Sequence, residues 1–112
     1  MPARVLHWLT SGEVTHFFAV PSVYQSLAED PGWADADLTP IQSWACGGSS
    51  MPVALLERYA ARGIVIRQGM GLTETSPILF LTDEAHALSK AGSVGKPVLR
   101  TEIRIVAEDG YV

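Results

Sequence analysis

At 112 residues, with 47% hydrophobic and 18% charged side chains, the chain has the composition of one small globular domain or part of a larger one, not of a disordered segment. Its formal net charge of -4, with Lys and Arg scattered singly, leaves no basic stripe for a nucleic-acid backbone, so no nucleic-acid partner is expected. No apolar run approaches the ~18 residues of a membrane span, and "MPARVLHWLTSG" is too broken for a signal peptide; with Cys46 as the single cysteine, no transmembrane segment and a cytoplasmic setting are expected.

The predicted elements alternate. "PARVLHWLTSG" opens with Pro2, carries Val5, Leu6 and Leu9 at helical spacing and stops at Gly12. "THFFAV" is a nearly continuous apolar run, the pattern of a strand covered on both faces. "PSVYQSLAED" predicts a second helix with Val23, Tyr24 and Leu27 on one side, and "IQSWACGG" a second strand closed by two glycines. "MPVALLERYAARG" predicts the third helix, with Pro52 near its start, Leu55, Leu56, Tyr59 and Ala60 on its apolar face, and Gly63 past its end. "IVIRQ" predicts a third strand.

This alternation over residues 1–77 predicts an α/β fold with a mostly parallel sheet, whose ligands sit beyond the carboxyl ends of the strands. Residues 78–112 read as a loop and a β-rich part. "TEIRIVAEDGYV" alternates Ile103 and Ile105 with Glu102 and Arg104 and then offers a hairpin turn at Asp109-Gly110. Only Tyr111 and Val112 follow, too few for a return strand, so the hairpin reads as truncated and the chain as a fragment.

Two loops reach the expected ligand edge. In "CGGSSMP", Gly47, Gly48, Ser49 and Ser50 lead into a helix start with unpaired N–H groups. In "GMGLTETSP", Gly69 and Gly71 allow a tight turn, and Thr73, Glu74, Thr75 and Ser76 supply oxygens; a carboxylate with hydroxyls suits magnesium. Either loop alone is explained by the turns and caps that such folds need. Both together, after neighbouring strands, point to a ligand. The dinucleotide fingerprint G-x-G-x-x-G fails because Glu74 holds its sixth place, and the phosphate loop G-x-x-x-x-G-K-[ST] occurs nowhere.

Other candidates read as structural. Cys46 ends an apolar strand with no base in evidence, His7, His16 and His86 lack metal-ligand spacing, and Ser49 and Ser50 lack the G-x-S-x-G frame. Trp8, Trp33 and Trp44 read as core or surface anchors, and "TDEAHALSK" as a solvated loop or short helix.

In order and separation, "THFFAVPSVYQSL", "CGGSSMPVALLERY", "RQGMGLTETSP" and "GSVGKPV" resemble consecutive segments of the adenylate-forming (AMP-binding) enzymes, specifically the acyl-CoA synthetases or fatty-acid-CoA ligases. The family's aromatic-Gly-x-Thr-Glu loop is matched by Met70-Gly71-Leu72-Thr73-Glu74. The resemblance implies a partial N-terminal AMP-binding domain over residues 1–112 of an acid-thiol ligase. Such enzymes use ATP to convert a carboxylic acid, here a fatty or other hydrophobic one, into an acyl-adenylate and pyrophosphate, and then pass the acyl group to coenzyme A.

It further implies catalytic roles for Thr73, at the nucleotide phosphates, and Glu74, at Mg2+. Gly69, Met70, Gly71 and Leu72 would border the adenine and the inner acyl pocket, and Gly47, Gly48 and Ser49 match the family's Gly-Gly-Ala wall. Met70 replaces the usual aromatic ring, and Ser49-Ser50 replaces Ala-Pro. The family's phosphate loop, Thr-Gly-Asp element and C-terminal catalytic lysine are not in this sequence, so the chain alone is expected to lack ligase activity. The alternatives are an adenylation domain of a peptide synthetase and a non-catalytic remnant whose exposed sheet edges favour interaction.

Overall fold

The computed structural model describes residues 1–75 and 78–110. Helices α1 (Pro2–Thr10), α2 (Pro21–Glu29) and α3 (Val53–Ala60) alternate with strands β1 (His16–Ala19), β2 (Ser43–Cys46) and β3 (Ile66–Met70). A 3-10 turn (Thr73–Thr75) and two short strands, β4 (Phe80–Leu81) and β5 (Lys96–Pro97), follow. Proline opens α1 and α2, where a missing N–H costs nothing. Gly63, at a φ of 75°, closes α3, and the next N–H, of Ile64, bonds back to Tyr59 O at 3.1 Å. Among the described residues no helix is long and apolar enough to cross a membrane.

The sheet order is β1-β2-β3-β4-β5. β1, β2 and β3 are parallel, aligning Phe17, Trp44 and Ile66, then Ala19, Cys46 and Gln68. β4 and β5 add antiparallel, with Met70 opposite Phe80 and Gly69 opposite Leu81. The α/β expectation therefore holds for the first three strands, and the sheet as a whole is mixed.

One core serves all three helices, joining Leu6 and Leu9 of α1, Tyr24 and Leu27 of α2, and Leu55, Leu56 and Tyr59 of α3 to Trp44, Cys46 and Ile66. Phe17 packs against that core, whereas its neighbour Phe18 is 59% exposed on the opposite face of β1. The expectation that "THFFAV" is covered on both faces is thus corrected: among the described residues the helices cover one face.

Two buried phenols tie the layers together. Tyr59 Oη donates to Tyr24 O at 2.8 Å, and Tyr24 Oη donates to Ala45 O at 2.7 Å, linking α3 to α2 and α2 to β2. Their rings meet edge-on with centroids 5.2 Å apart, and Phe17, Trp33 and Trp44 complete the aromatic cluster. The segment between α2 and β2 is held from the turn that closes α3, where Arg62 donates to Trp33 O and Ala36 O at 2.7 and 2.6 Å and lies over the Trp33 ring.

Two boundaries differ from the sequence reading. The third strand begins at Ile66 because Ile64 belongs to the closure of α3, and it continues to Met70 because β4 supplies a partner. Gly69 is therefore in a strand, not in a tight turn. Residues 101–107 form no strand, and no described strand lies beside them to take their backbone groups. The turn at Asp109-Gly110 is present, with Gly110 N–H bonded to Ala107 O at 2.9 Å; Tyr111 and Val112 lie outside the described residues.

Burial raises the affinity of both phenols for their protons, most strongly at Tyr24. A phenol that holds its proton more tightly when folded stabilises the fold fully below its unfolded value of about 10, and that contribution is lost as the pH rises beyond it. Urea unfolding is expected to give a flat stability profile from pH 7 to 9 and a decline above pH 10, at up to about 1.4 kcal/mol per pH unit for each phenol. Tyr59→Phe is expected to lower stability at pH 7 by about 1 kcal/mol and to make the alkaline decline shallower.

Candidate functional site

β2 and β3 end side by side, Cys46 beside Gln68, so the segments that leave them start from one edge of the sheet. Gly47 is buried there. A Cβ on it would lie 2.8 Å from the Phe18 ring and 3.3 Å from Gly69 O, so a side chain there would displace the exposed Phe18 ring and crowd the end of β3. Gly48 then turns the chain at a φ of 86°, and α3 begins at Val53.

Between these loops lies a cleft of about 320 Å³. Gly48, Ser49 and Ser50 form one side, Gln68 to Leu72 a second, and Gly92 and Val94 a third. The structure thus brings together six of the expected residues: Gly48, Ser49, Gly69, Met70, Gly71 and Leu72. Gly47 sits just behind the lining, under Phe18, and Thr73 and Glu74 lie on the exposed 3-10 turn beyond it.

That turn is internally braced. Thr75 Oγ1 accepts the Leu72 N–H at 3.0 Å, and the Thr75 N–H donates to Leu72 O at 3.0 Å, so this hydroxyl serves the backbone. The Thr73 hydroxyl and the Glu74 carboxylate have no such partner among the described residues and remain available to a ligand. Ser76, the fourth expected oxygen, lies outside the described residues. Among the described residues no three His, Cys, Asp or Glu side chains cluster to hold a metal, so a cation at this edge would rest on Glu74 and on oxygens of the ligand itself.

Gln68 is the site residue that sequence reasoning missed. It is buried on the helix-facing side of β3; its Oε1 accepts the Met51 N–H at a long 3.4 Å, and its Nε2 has no partner among the described residues. An unpaired buried amide is costly, and in a cleft wall it is a donor waiting for an acceptor. The signal was in the two-residue period: Ile64, Ile66 and Gln68 are all buried, and the third is polar. Gly92 and Val94 were missed because only tertiary folding brings them to these loops.

Cys46 is buried, and desolvation pushes its thiol up to about 11, so it is a packing residue and not a nucleophile. On the surface, His86 Nδ1 lies 2.6 Å from Asp83 Oδ1, a hydrogen bond that holds the Asp83 carboxyl below its ordinary range.

The sequence matches the AMP-binding enzyme family over residues 1–112. The chain belongs to that family. It is 38% identical over 109 residues to a feruloyl-CoA synthase of Amycolatopsis, covering 97% of this chain and 22% of the relative. It is 34% identical over 94 residues to the long-chain-fatty-acid–CoA ligase FadD13 of Mycobacterium tuberculosis, covering 84% of this chain and 19% of that one. The fold superposes on the N-terminal domain of FACL13 from Mycobacterium tuberculosis, solved with an inhibitor, with a TM-score of 0.90 at 31% identity, over 98% of this chain and 28% of the other. The chain spans about a fifth of the length of the curated relatives it matches.

Two outcomes follow for the site residues. Cys46 is expected to resist thiol reagents at pH 8 while the chain is folded and to react fully in denaturant; equal rates in both states would contradict its burial. Gln68→Met is expected to change unfolding free energy by less than about 1 kcal/mol, because the weak bond to Met51 is lost together with an unsatisfied amide.

Proposed function

We propose that this chain forms one wall of the adenylate site of an acid-thiol ligase. The whole enzyme would join a hydrophobic carboxylic acid to ATP, giving an acyl-adenylate and pyrophosphate, and then transfer the acyl group to the thiol of coenzyme A. The observation that carries this reading is the convergence of Gly48–Ser50 and Gln68–Leu72 on one cleft at the carboxyl ends of two parallel strands. The likeness to feruloyl-CoA and long-chain-fatty-acid ligases supports a substrate with a substantial apolar body.

The chain's own residues have distinct tasks in this reading. Glycine backbones at 48 and 69, in the cleft lining, allow a flat group to approach closely, with Met70 offering a polarisable surface in place of an aromatic ring. The Gln68 amide donates to an acceptor on the bound nucleotide or acyl group. The Thr73 hydroxyl donates to a phosphate oxygen, and the Glu74 carboxylate helps to hold Mg2+, which when bound neutralises phosphate charge. A cytoplasmic setting belongs to the same reading, supported by the free thiol of Cys46.

Among the described residues, none of the side chains lining the cleft is cationic. Charge developing on a transferring phosphorus needs positive groups held close to it, so this wall binds and orients but does not complete the chemistry. The 112-residue chain is expected to release no pyrophosphate from ATP and a fatty acid, and release at a substantial rate would overturn this. In an active ligase that contains this chain, Glu74→Ala is expected to slow pyrophosphate release about 100-fold and to raise the magnesium requirement. An unchanged rate and magnesium dependence would remove Glu74 from the site.

A further inference from the structure

The only lysines of the chain, Lys90 and Lys96, come from different segments and line the same pocket, a space of about 340 Å³ beside β4 and β5. Its other polar side chains are Thr82, Asp83, His86 and Ser93. Asp83 is the single acid among them, and it is engaged locally: one carboxylate oxygen accepts from the His86 ring at 2.6 Å and from the His86 N–H at 2.9 Å. Neither lysine forms a close ion pair among the described residues, though Lys96 lies near enough to Asp83 to favour its charged form. Two ammonium groups beside one space repel each other, and the single Asp83 carboxylate, itself bonded to His86, offsets at most one of them. In a chain of net charge -4 this is not a by-product of a basic surface.

The pocket is also built on a fixed frame. Gly95 has a φ of 86°, and a Cβ there would lie 2.3 Å from Leu81 O, so this backbone is pressed against β4 and takes glycine alone. Lys96 follows in β5, paired with Leu81. Ser93 Oγ accepts the Gly95 N–H at 3.1 Å, which leaves its own O–H free to donate. A tetrahedral oxyanion would find two cations and a hydroxyl donor already in place.

The same turn has a second side. Gly92 and Val94 line the cleft between the two loops, while Ser93, Gly95 and Lys96 line the lysine pocket, so alternate residues of one short segment serve two spaces. We propose that the Lys90–Lys96 pocket binds a phosphate dianion, free or as the terminus of a phosphate monoester, and that its occupancy is transmitted to the cleft through the turn from Gly92 to Lys96. The site stands on its own geometry and does not depend on the adenylate reading.

The test is a titration of the isotope-labelled chain, followed by amide NMR, with inorganic phosphate and separately with glycerol phosphate, against sodium chloride at matched ionic strength. The expected result is a saturable shift at Ser93, Gly95 and Lys96, with Gly92 and Val94 following the same curve. Tighter binding of glycerol phosphate would identify the monoester as the preferred source, and tighter inorganic phosphate the free ion. The double variant K90Q/K96Q, whose substitutions are at exposed positions, is expected to keep the remaining spectrum and to lose about tenfold or more in affinity. Shifts that do not saturate, that chloride reproduces, or that persist unchanged in the double variant would overturn the site. Saturation at Ser93 to Lys96 without any response at Gly92 and Val94 would overturn the coupling.

Discussion

The fold depends on a relay of two buried phenols running from α3 through α2 to β2. Each hydroxyl donates to a backbone carbonyl and so is not left unpaired in an apolar core, and each ring fills volume beside Trp33, Trp44 and Phe17. Because the carbonyl reached on β2 belongs to Ala45, the relay ends two residues before Gly47. The helices are thereby fixed against the strand whose carboxyl end leads into the first loop. Arg62 extends the same logic outward by holding the segment before β2 to the turn that closes α3.

From that fixed edge the cleft follows with few further requirements. Parallel pairing of β2 and β3 puts both carboxyl ends together, and Gly47 allows the loop to leave under Phe18 without a clash. The antiparallel addition of β4 and β5 brings the turn from Gly92 to Gly95 back to the same edge, where it closes the third side. Among the described residues, stability and site conflict at Gln68. A leucine there would suit the core, and the glutamine leaves an amide hydrogen-bond donor unpaired in the wall of the cleft. Departures of this kind from good core chemistry mark binding sites more often than they mark faults.

Much of this was legible in the residues, because helix closures and strand ends are local. The first and third helices were placed by Pro2, Gly12, Pro52 and Gly63 and the second by the spacing of Val23, Tyr24 and Leu27, and the two loops were recognised as lying beyond neighbouring strands. What failed was non-local. Whether Phe18 is covered depends on which side the helices pack, which a continuous apolar run does not encode. The start of β3 moved because Ile64 is used to close α3, and its end moved because β4 pairs with Gly69 and Met70. Ile103 and Ile105 carry strand alternation, but without a neighbouring described strand the pattern has nothing to pair with. Gly92 and Val94 lie in "GSVGKPV", which was recognised as a family-like segment but not as part of the site, because only the pairing of β5 brings it to the cleft.

The proposed adenylate wall consists of two loops and one distant turn acting as a single surface. Backbone hydrogen exchange with and without AMP tests it most directly, because it reads each segment separately. The account predicts slower exchange at Gly48–Ser50, Gly69–Leu72 and Gly92–Val94 together, at one common AMP concentration, with α1 unaffected. Protection of one segment without the others, or of none at saturating AMP, would contradict it.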